Sequence, residues 1–256
     1  MGGWCRRPQG GGDDEEVQGR GQEEDGCEEG FVHELKVEIW SDVACPWCYI
    51  GKRRFDVALT RFAHHEAVDV RWRSFELDPS APAVRDEPYL DRLAAKYRMT
   101  LPEADAVIDR MIEAGAQNGV VLRFDKAKPG NTFDAHRLLH LAAERGVQHD
   151  LNERLLKATF TRGAQIADHD VLVTLAGDAG LDPEEARRVL ESDAFAAGVR
   201  ADEQRASELD IRSVPYFVVD GTFGVSGAQP PDVLLQVLEE AWAAAGSAAA
   251  AQAPSS

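Results

Sequence analysis

Two cysteines separated by a proline and a tryptophan, Cys45-Pro46-Trp47-Cys48, form the most reactive side-chain pattern in the chain. If the segment opens a helix, a three-residue step puts both sulfurs within one turn, close enough to close a disulfide. The unpaired N–H groups and positive dipole end at such a start favour thiolate. The effect is large, because a thiol near pKa ~8.5 is only a few per cent ionised at neutral pH and one near ~7 is about half ionised. Cys45, nearest the helix start, is the expected attacking thiol with a lowered pKa, and Cys48 the resolving thiol of a mixed-disulfide exchange. Pro46 preorganises the first turn, while Trp47 offers no positive charge to a thiolate but presents a flat apolar face to a substrate. Asp42, three residues upstream, can tune thiol protonation or cap the turn.

Val214-Pro215 is the second chemically suggestive position. A proline cannot donate to a ladder, so it belongs at the beginning of the apolar strand that follows, and at an X-Pro bond the cis form costs only about 0.5–1 kcal/mol. A cis turn would leave the Val214 backbone free to pair with an extended polypeptide beside Cys45. The alternative is a trans proline marking a loop. His136, beside the apolar face of a predicted helix, is a candidate for lining a substrate cleft, against the alternative of a surface or satisfied histidine. Lys52-Arg53-Arg54 reads as a solvent face, and His64-His65 as a solvated helix end.

The elements that must position these residues follow from periodicity. Leu35 to Trp40 alternates as a strand, and Phe55, Ala58, Leu59 and Phe62 recur at helical spacing, so the cysteines sit between a strand and an amphipathic helix. Val68 to Arg73 alternates again, which completes a strand, helix, strand unit. From Pro79 the pattern turns helical. Thr100-Leu101-Pro102-Glu103 and Asp182-Pro183-Glu184-Glu185 carry helix-start signals, Asn131 can cap a helix over Thr132 to Arg145, and Val120 to Phe124 is a short extended interruption. After a further helix beyond Asp193, Ile211 to Val225 reads as strand, Asp220-Gly221 turn, strand, and Leu234, Val237, Leu238 and Ala241 form a closing helix.

Composition narrows the function. The 256 residues suffice for a sizeable core, and a net charge of −17 argues against nucleic acid and against anionic membrane surfaces as partners. Residues 1–34 hold ten acidic side chains against three arginines and are expected to be a disordered acidic, Gly-rich tail without the apolar core of a signal peptide. The expected compartment is the cytoplasm, where a CxxC pair is more often catalytic or metal-binding than a structural staple. Cys5 and Cys27 could join Cys45 and Cys48 around zinc, but a single CxxC favours incidental tail cysteines, so no metal is expected. Residues 243–256 read as a fraying helix end and a flexible Ala-rich tail.

In combination, Cys-Pro-Trp-Cys after a first strand, a helical insertion, and Val-Pro-Tyr-Phe before a hairpin resemble the DsbA-like thioredoxin-fold oxidoreductases. Asp42-Val43-Ala44-Cys45-Pro46-Trp47-Cys48-Tyr49-Ile50-Gly51, Asn131 to Leu138 and Val225-Ser226-Gly227-Ala228-Gln229 are similar to the FrnE-like branch, which is related to 2-hydroxychromene-2-carboxylate isomerase. The resemblance covers roughly Leu35 to Trp242. It implies an α/β thioredoxin-like domain over residues 35–78 and 193–242, a large all-helical insertion over 79–192 capping the active-site face, and a cis-Pro at Pro215. It implies thiol–disulfide oxidoreductase activity; together with the residue readings above, the expected catalytic set is Cys45, Cys48 and Pro215, with Pro46, Trp47, Val214 and His136 meeting a protein or small-molecule disulfide or dithiol. No cofactor is required beyond the cysteine pair, with glutathione as a co-substrate option. The isomerase relatives use glutathione and carry Ser in place of the first cysteine; this chain keeps Cys45, which favours redox chemistry. The competing expectations are a glutathione-dependent isomerase or transferase of aromatic or polyketide molecules, and a chaperone or zinc-binding module. Because Trp47 supplies no cation, the pair is expected to be less oxidising than DsbA, whose potential is about −120 mV.

Overall fold

The computed structural model describes residues 34–252, so the expected acidic tail, Cys5 and Cys27 lie outside the described residues. The alternating segments form β1 (Leu35–Ser41) and β2 (Val68–Ser74), with α1 (Pro46–Arg61) between them. The helical series follows as α2 (Tyr89–Tyr97), α3 (Leu101–Gln117), α4 (Phe133–Glu144), α5 (Gln148–Lys157), α6 (His169–Asp178), α7 (Pro183–Leu190) and α8 (Ala196–Glu208). The chain closes with β3 (Tyr216–Val219), β4 (Phe223–Ser226) and α9 (Pro231–Gln252).

The four strands form one mixed sheet in the order β2-β1-β3-β4. β1 runs parallel to β2, with Ile39 beside Trp72, and antiparallel to β3, with Ile39 beside Phe217. The parallel pair needs a crossover, and α1 supplies it. One sheet face carries Leu35, Val37, Ile39, Phe217 and Val219, which are buried against Phe55 and Ala58 of α1, Phe62 just beyond it, and Leu234, Leu238 and Ala241 of α9. On the other face Trp40 and Val218 join a cluster that contains Cys45, Cys48 and apolar residues of α2 and α3. A third cluster holds α4 to α7 together.

The start signals act as read. Thr100 and Glu103 form a reciprocal capping box, and Asp182 Oδ1 accepts from the Glu184 amide at 3.0 Å. Asn131 Oδ1 accepts from the Phe133 amide at 3.0 Å, so the helix begins one residue later than the composition suggests. Val120 to Phe124 does not form a strand: the Arg123 amide bonds the Phe160 carbonyl at 2.7 Å, and Val120, Leu122 and Phe124 turn into the core. The segment expected to fray from residue 243 remains helical to Gln252, consistent with the high helix propensity of alanine. No described helix is long and apolar enough to cross a membrane.

A buried polar network ties the helical segments to the sheet. Asp202 of α8 accepts from the Ser74 amide at 2.9 Å, from His140 of α4 at 3.0 Å and from Arg73 of β2 at 3.1 Å, while its own carbonyl accepts from Trp40 Nε1 at 3.0 Å. Burial works against the Asp202 charge, but His140, the Ser74 amide and Arg73 outweigh it and hold the carboxyl below its ordinary pKa. A depressed carboxyl contributes stability that is present above its unfolded pKa of about 3.9 and lost as pH falls through the folded value. Asp202→Ala is therefore expected to cost about 3–5 kcal/mol in urea unfolding at neutral pH. The gap to wild type should narrow below pH ~4, and a neutral-pH loss under about 1 kcal/mol would contradict this role.

Candidate active site

β1 ends at Ser41, and the chain turns through Asp42 to enter α1 at Cys45. Asp42 organises that turn: its carbonyl accepts from the Cys45 amide at 3.0 Å, its Oδ1 from the Ala44 amide at 3.1 Å, and its Oδ2 from the Leu77 amide beyond β2 at 2.8 Å. The carboxylate thus fastens the strand-to-helix turn to the segment leading into the helical series. Cys45 occupies the N-cap with extended backbone (φ −103°, ψ 115°), Pro46 takes the first turn, and no side chain caps the helix. Cys45 therefore stands at the end of α1 where the helix leaves its first amides without intrahelical partners.

Both cysteines are free thiols and buried, Cys45 at 5% exposure and Cys48 at 0%, while Trp47 between them is 38% exposed. Cys45 Sγ donates to the Val214 carbonyl at 3.6 Å, and the Val214-Pro215 bond is cis. The Val214 amide has no backbone partner among the described residues. Burial, followed by the nearby Cys45, pushes the Cys48 thiol well above its ordinary pKa, against smaller opposing contributions from the Asp42 amide and the Ser41 hydroxyl. Cys48 is thereby held protonated at neutral pH.

The structure brings Asp42, Cys45, Pro46 and Trp47 to one cavity of about 680 Å³, closed on its far side by α2, α3 and the Pro129-Gly130 segment. Val214 and Pro215 do not line the cavity; the Val214 carbonyl meets Cys45 Sγ, and the Pro215 ring lies against Gly51. His136 does not line this cavity; it is 1% exposed, and its Nε2 faces Asp42 Oδ1 at 3.5 Å, behind the active-site turn. The reason is that α4 packs its histidine face inward against that turn, leaving the cavity wall to α2 and α3.

Lys52-Arg53-Arg54 departs from the expected solvent face. Lys52 is 2% exposed and held by Asp56 at 2.9 Å, His149 at 2.8 Å and Glu153 at 3.3 Å, while Arg53 pairs with Glu153 at 2.6 Å. Arg54 reaches the Ala228 carbonyl at 2.5 Å. These residues bind α1 to α5 and to the loop after β4, which a local charge run cannot reveal. Among the described residues no group of three or more His, Cys, Asp or Glu is placed to hold a metal.

Three residues gain importance from the structure. Gly51 packs under the Pro215 ring so closely that a Cβ there would lie 2.7 Å from Pro215 Cγ. Tyr89 is buried in the cavity wall, and burial, with a further contribution from the charge of Cys45, raises its pKa. Arg92 enters the same cavity from α2. A glycine within an amphipathic helix was the one local signal available for Gly51; Tyr89 and Arg92 lie in a helix whose partners are distant in sequence.

A model described as the DSBA-like thioredoxin domain matches residues 36–239. Uncharacterized protein YwbO of Bacillus subtilis (strain 168) is 29% identical over 208 residues, covering 80% of this chain and 96% of that protein. Among solved structures, a probable DsbA oxidoreductase from Streptomyces coelicolor is 46% identical, covers 82% of this chain and 91% of its own, and superposes with a TM-score of 0.78. The cytosolic disulfide reductase DsbM from Pseudomonas aeruginosa, solved with GSH, shares the fold at 18% identity, with 80% and 98% coverage and a TM-score of 0.58.

The Gly51 contact makes a prediction of sign. On helix propensity alone, Gly51→Ala would stabilise the protein by up to about 1 kcal/mol. The contact with the rigid Pro215 ring should reverse this to a loss of about 1–3 kcal/mol in denaturant unfolding and loosen the loop beside Cys45. A net gain in stability would show that the contact is not tight.

Proposed function

Since the chain belongs to the DSBA-like thioredoxin domain family, we propose that it is a thiol–disulfide oxidoreductase in which Cys45 attacks and Cys48 resolves. The observation that carries this reading is the asymmetry of the pair: Cys45 stands at the open end of α1 on the cavity, whereas Cys48 is sealed beneath it with its proton retained. The Cys45 thiolate bonds to one sulfur of a substrate disulfide as that S–S bond breaks and one thiolate departs. Because Cys45 becomes neutral in the mixed disulfide, one of the contributions that raise the Cys48 pKa is removed, which favours loss of the Cys48 proton. Attack of Cys48 on Cys45 closes the protein disulfide and releases the second thiol, so the protein gives up two electrons and the substrate gains them. The reverse sequence oxidises a dithiol.

Val214 provides the place where a substrate chain is held. Its amide has no backbone partner among the described residues and its carbonyl lies at Cys45, so an extended segment can pair with it as an added strand while its sulfur meets Cys45. Trp47, partly exposed at the cavity mouth, supplies apolar contact beside the reacting sulfurs. The similarity to the Streptomyces protein named a probable DsbA oxidoreductase supports the activity. We place it in the cytoplasm, where a CxxC dithiol is kept in use as a catalytic rather than a structural pair.

Alkylation distinguishes the two roles. In the reduced protein at neutral pH, iodoacetamide should modify Cys45 and spare Cys48, which becomes reactive only under alkaline conditions because its raised pKa keeps it protonated below them. Cys48→Ser should accumulate a mixed disulfide at Cys45 with a model disulfide, and Cys45→Ser should form none. Equal labelling of both sulfurs at neutral pH, or trapping through Cys48 alone, would reverse the assignment.

A further inference from the structure

The cavity beside Cys45 contains a cation that the exchange chemistry leaves unused. Arg92 is half-buried on α2; its guanidinium lies 4.7 Å from the Tyr89 ring centroid and its Nη1 donates to the Pro129 carbonyl at 3.1 Å. It forms no ion pair among the described residues. The acidic groups that line the cavity are already engaged: Asp78 pairs with Arg85 at 2.5 Å, and Asp42 accepts from the Ala44 and Leu77 amides. Glu87 acts on Arg92 electrostatically but is exposed and does not line the cavity. Lys96, one turn further along α2, adds a second positive group at the wall, where its Nζ lies 5.8 Å from the Tyr97 ring centroid. Burial lowers the Arg92 pKa, which reflects the unfavourable position of a cation removed from water without a counterion. The remaining wall is mainly apolar, with Leu93, Met99, Val107 and Met111 among its residues.

A cavity of about 680 Å³ is within the size range of small-molecule sites. An apolar wall with a planar, uncompensated guanidinium suits a carboxylate attached to an apolar body, which Arg can hold through two parallel hydrogen bonds. Tyr89 belongs to both the anchor and the reacting end, because its ring lies beside Arg92 and it lines the same cavity as Cys45. Resting on the oxidoreductase reading above, we propose that the cavity selects small disulfides bearing a carboxylate, with Arg92 as the specificity-determining residue that binds the carboxylate while Cys45 attacks the S–S bond. Electrons and atoms balance as in the exchange already described: the reduced protein becomes the Cys45–Cys48 disulfide, and the small disulfide leaves as two thiols.

Single-turnover oxidation of the pre-reduced full chain tests this with two chromogenic disulfides, dithiobis(nitrobenzoate), which carries carboxylates, and neutral dithiodipyridine. The chain's net charge of −17 opposes the anionic probe at long range, so the informative quantity is the ratio of the two rate constants at fixed ionic strength. Arg92→Gln is expected to lower the ratio of anionic to neutral probe by about tenfold, the scale of one charged hydrogen-bonded contact, and Arg92→Lys to recover part of it. Arg110→Gln, an exposed position on α3 outside the cavity, should leave the ratio near wild type. An unchanged ratio in Arg92→Gln, or an equal fall in Arg110→Gln, overturns the carboxylate site while leaving the exchange activity standing. If neither probe converts wild-type protein to the Cys45–Cys48 disulfide, the oxidoreductase reading fails as well. Urea unfolding of each variant separates a lost anchor from a lost fold: the proposal requires the ratio to fall in Arg92→Gln protein that remains folded.

Discussion

The buried carboxylate of Asp42 is the constraint on which the site depends. A β-strand that must turn directly into a helix leaves amides without partners on both sides of the turn, and a buried amide left unpaired costs about 1–3 kcal/mol. Asp42 satisfies one amide within its own turn and one from the segment that follows β2, thereby fixing the position from which Cys45 begins α1. With that turn held, the first sulfur faces the cavity and the second points into the core. Their difference in role follows from the difference in surroundings, since both are the same side chain.

The helical series is more than a cover. Asp202 and its partners connect α4, α8 and β2, while Lys52, Asp56, His149 and Glu153 connect α1 with α5. Buried ionic contacts of this kind are weak evidence for stability in themselves, because desolvation offsets much of their attraction. Their geometric effect is clearer: they fix α4, α5 and α8 against β2 and α1, the strand and helix that flank the cysteine turn. Gly51 performs a related task at shorter range by letting Pro215 lie against α1, which brings the Val214 carbonyl to Cys45.

Much of the frame was legible in the residues because it depends on short-range rules. Alternation marked β1 and β2, Asp220-Gly221 marked the hairpin, and Thr100, Asn131 and Asp182 marked helix starts through bonds that span two or three residues. The cysteine pair and Val214-Pro215 were likewise visible by type and position. What was hidden depends on partners far apart in the chain. Lys52 reads as a solvated lysine until Glu153 and His149 are placed beside it, and His136 reads as a cleft residue until α4 packs it behind Asp42. Val120 to Phe124 alternates like a strand, but it joins no described sheet: its Arg123 amide bonds the Phe160 carbonyl, and its apolar residues enter the core from an irregular strap. Arg92 could not be singled out among the arginines until the carboxylates around it were seen to be occupied elsewhere.

The central claim is that Cys45 and Cys48 form a reversible redox pair whose set point is not driven strongly oxidising, since Trp47 places no cation between the sulfurs. Equilibrating the protein in glutathione buffers of graded ratio, with acid quenching and quantitation of the Cys45–Cys48 disulfide, measures this directly. The account predicts a single reversible two-electron transition with a midpoint more reducing than the roughly −120 mV of DsbA. Failure of the disulfide to form at any ratio would contradict the redox assignment, and a midpoint as oxidising as DsbA would contradict the account of what sets it.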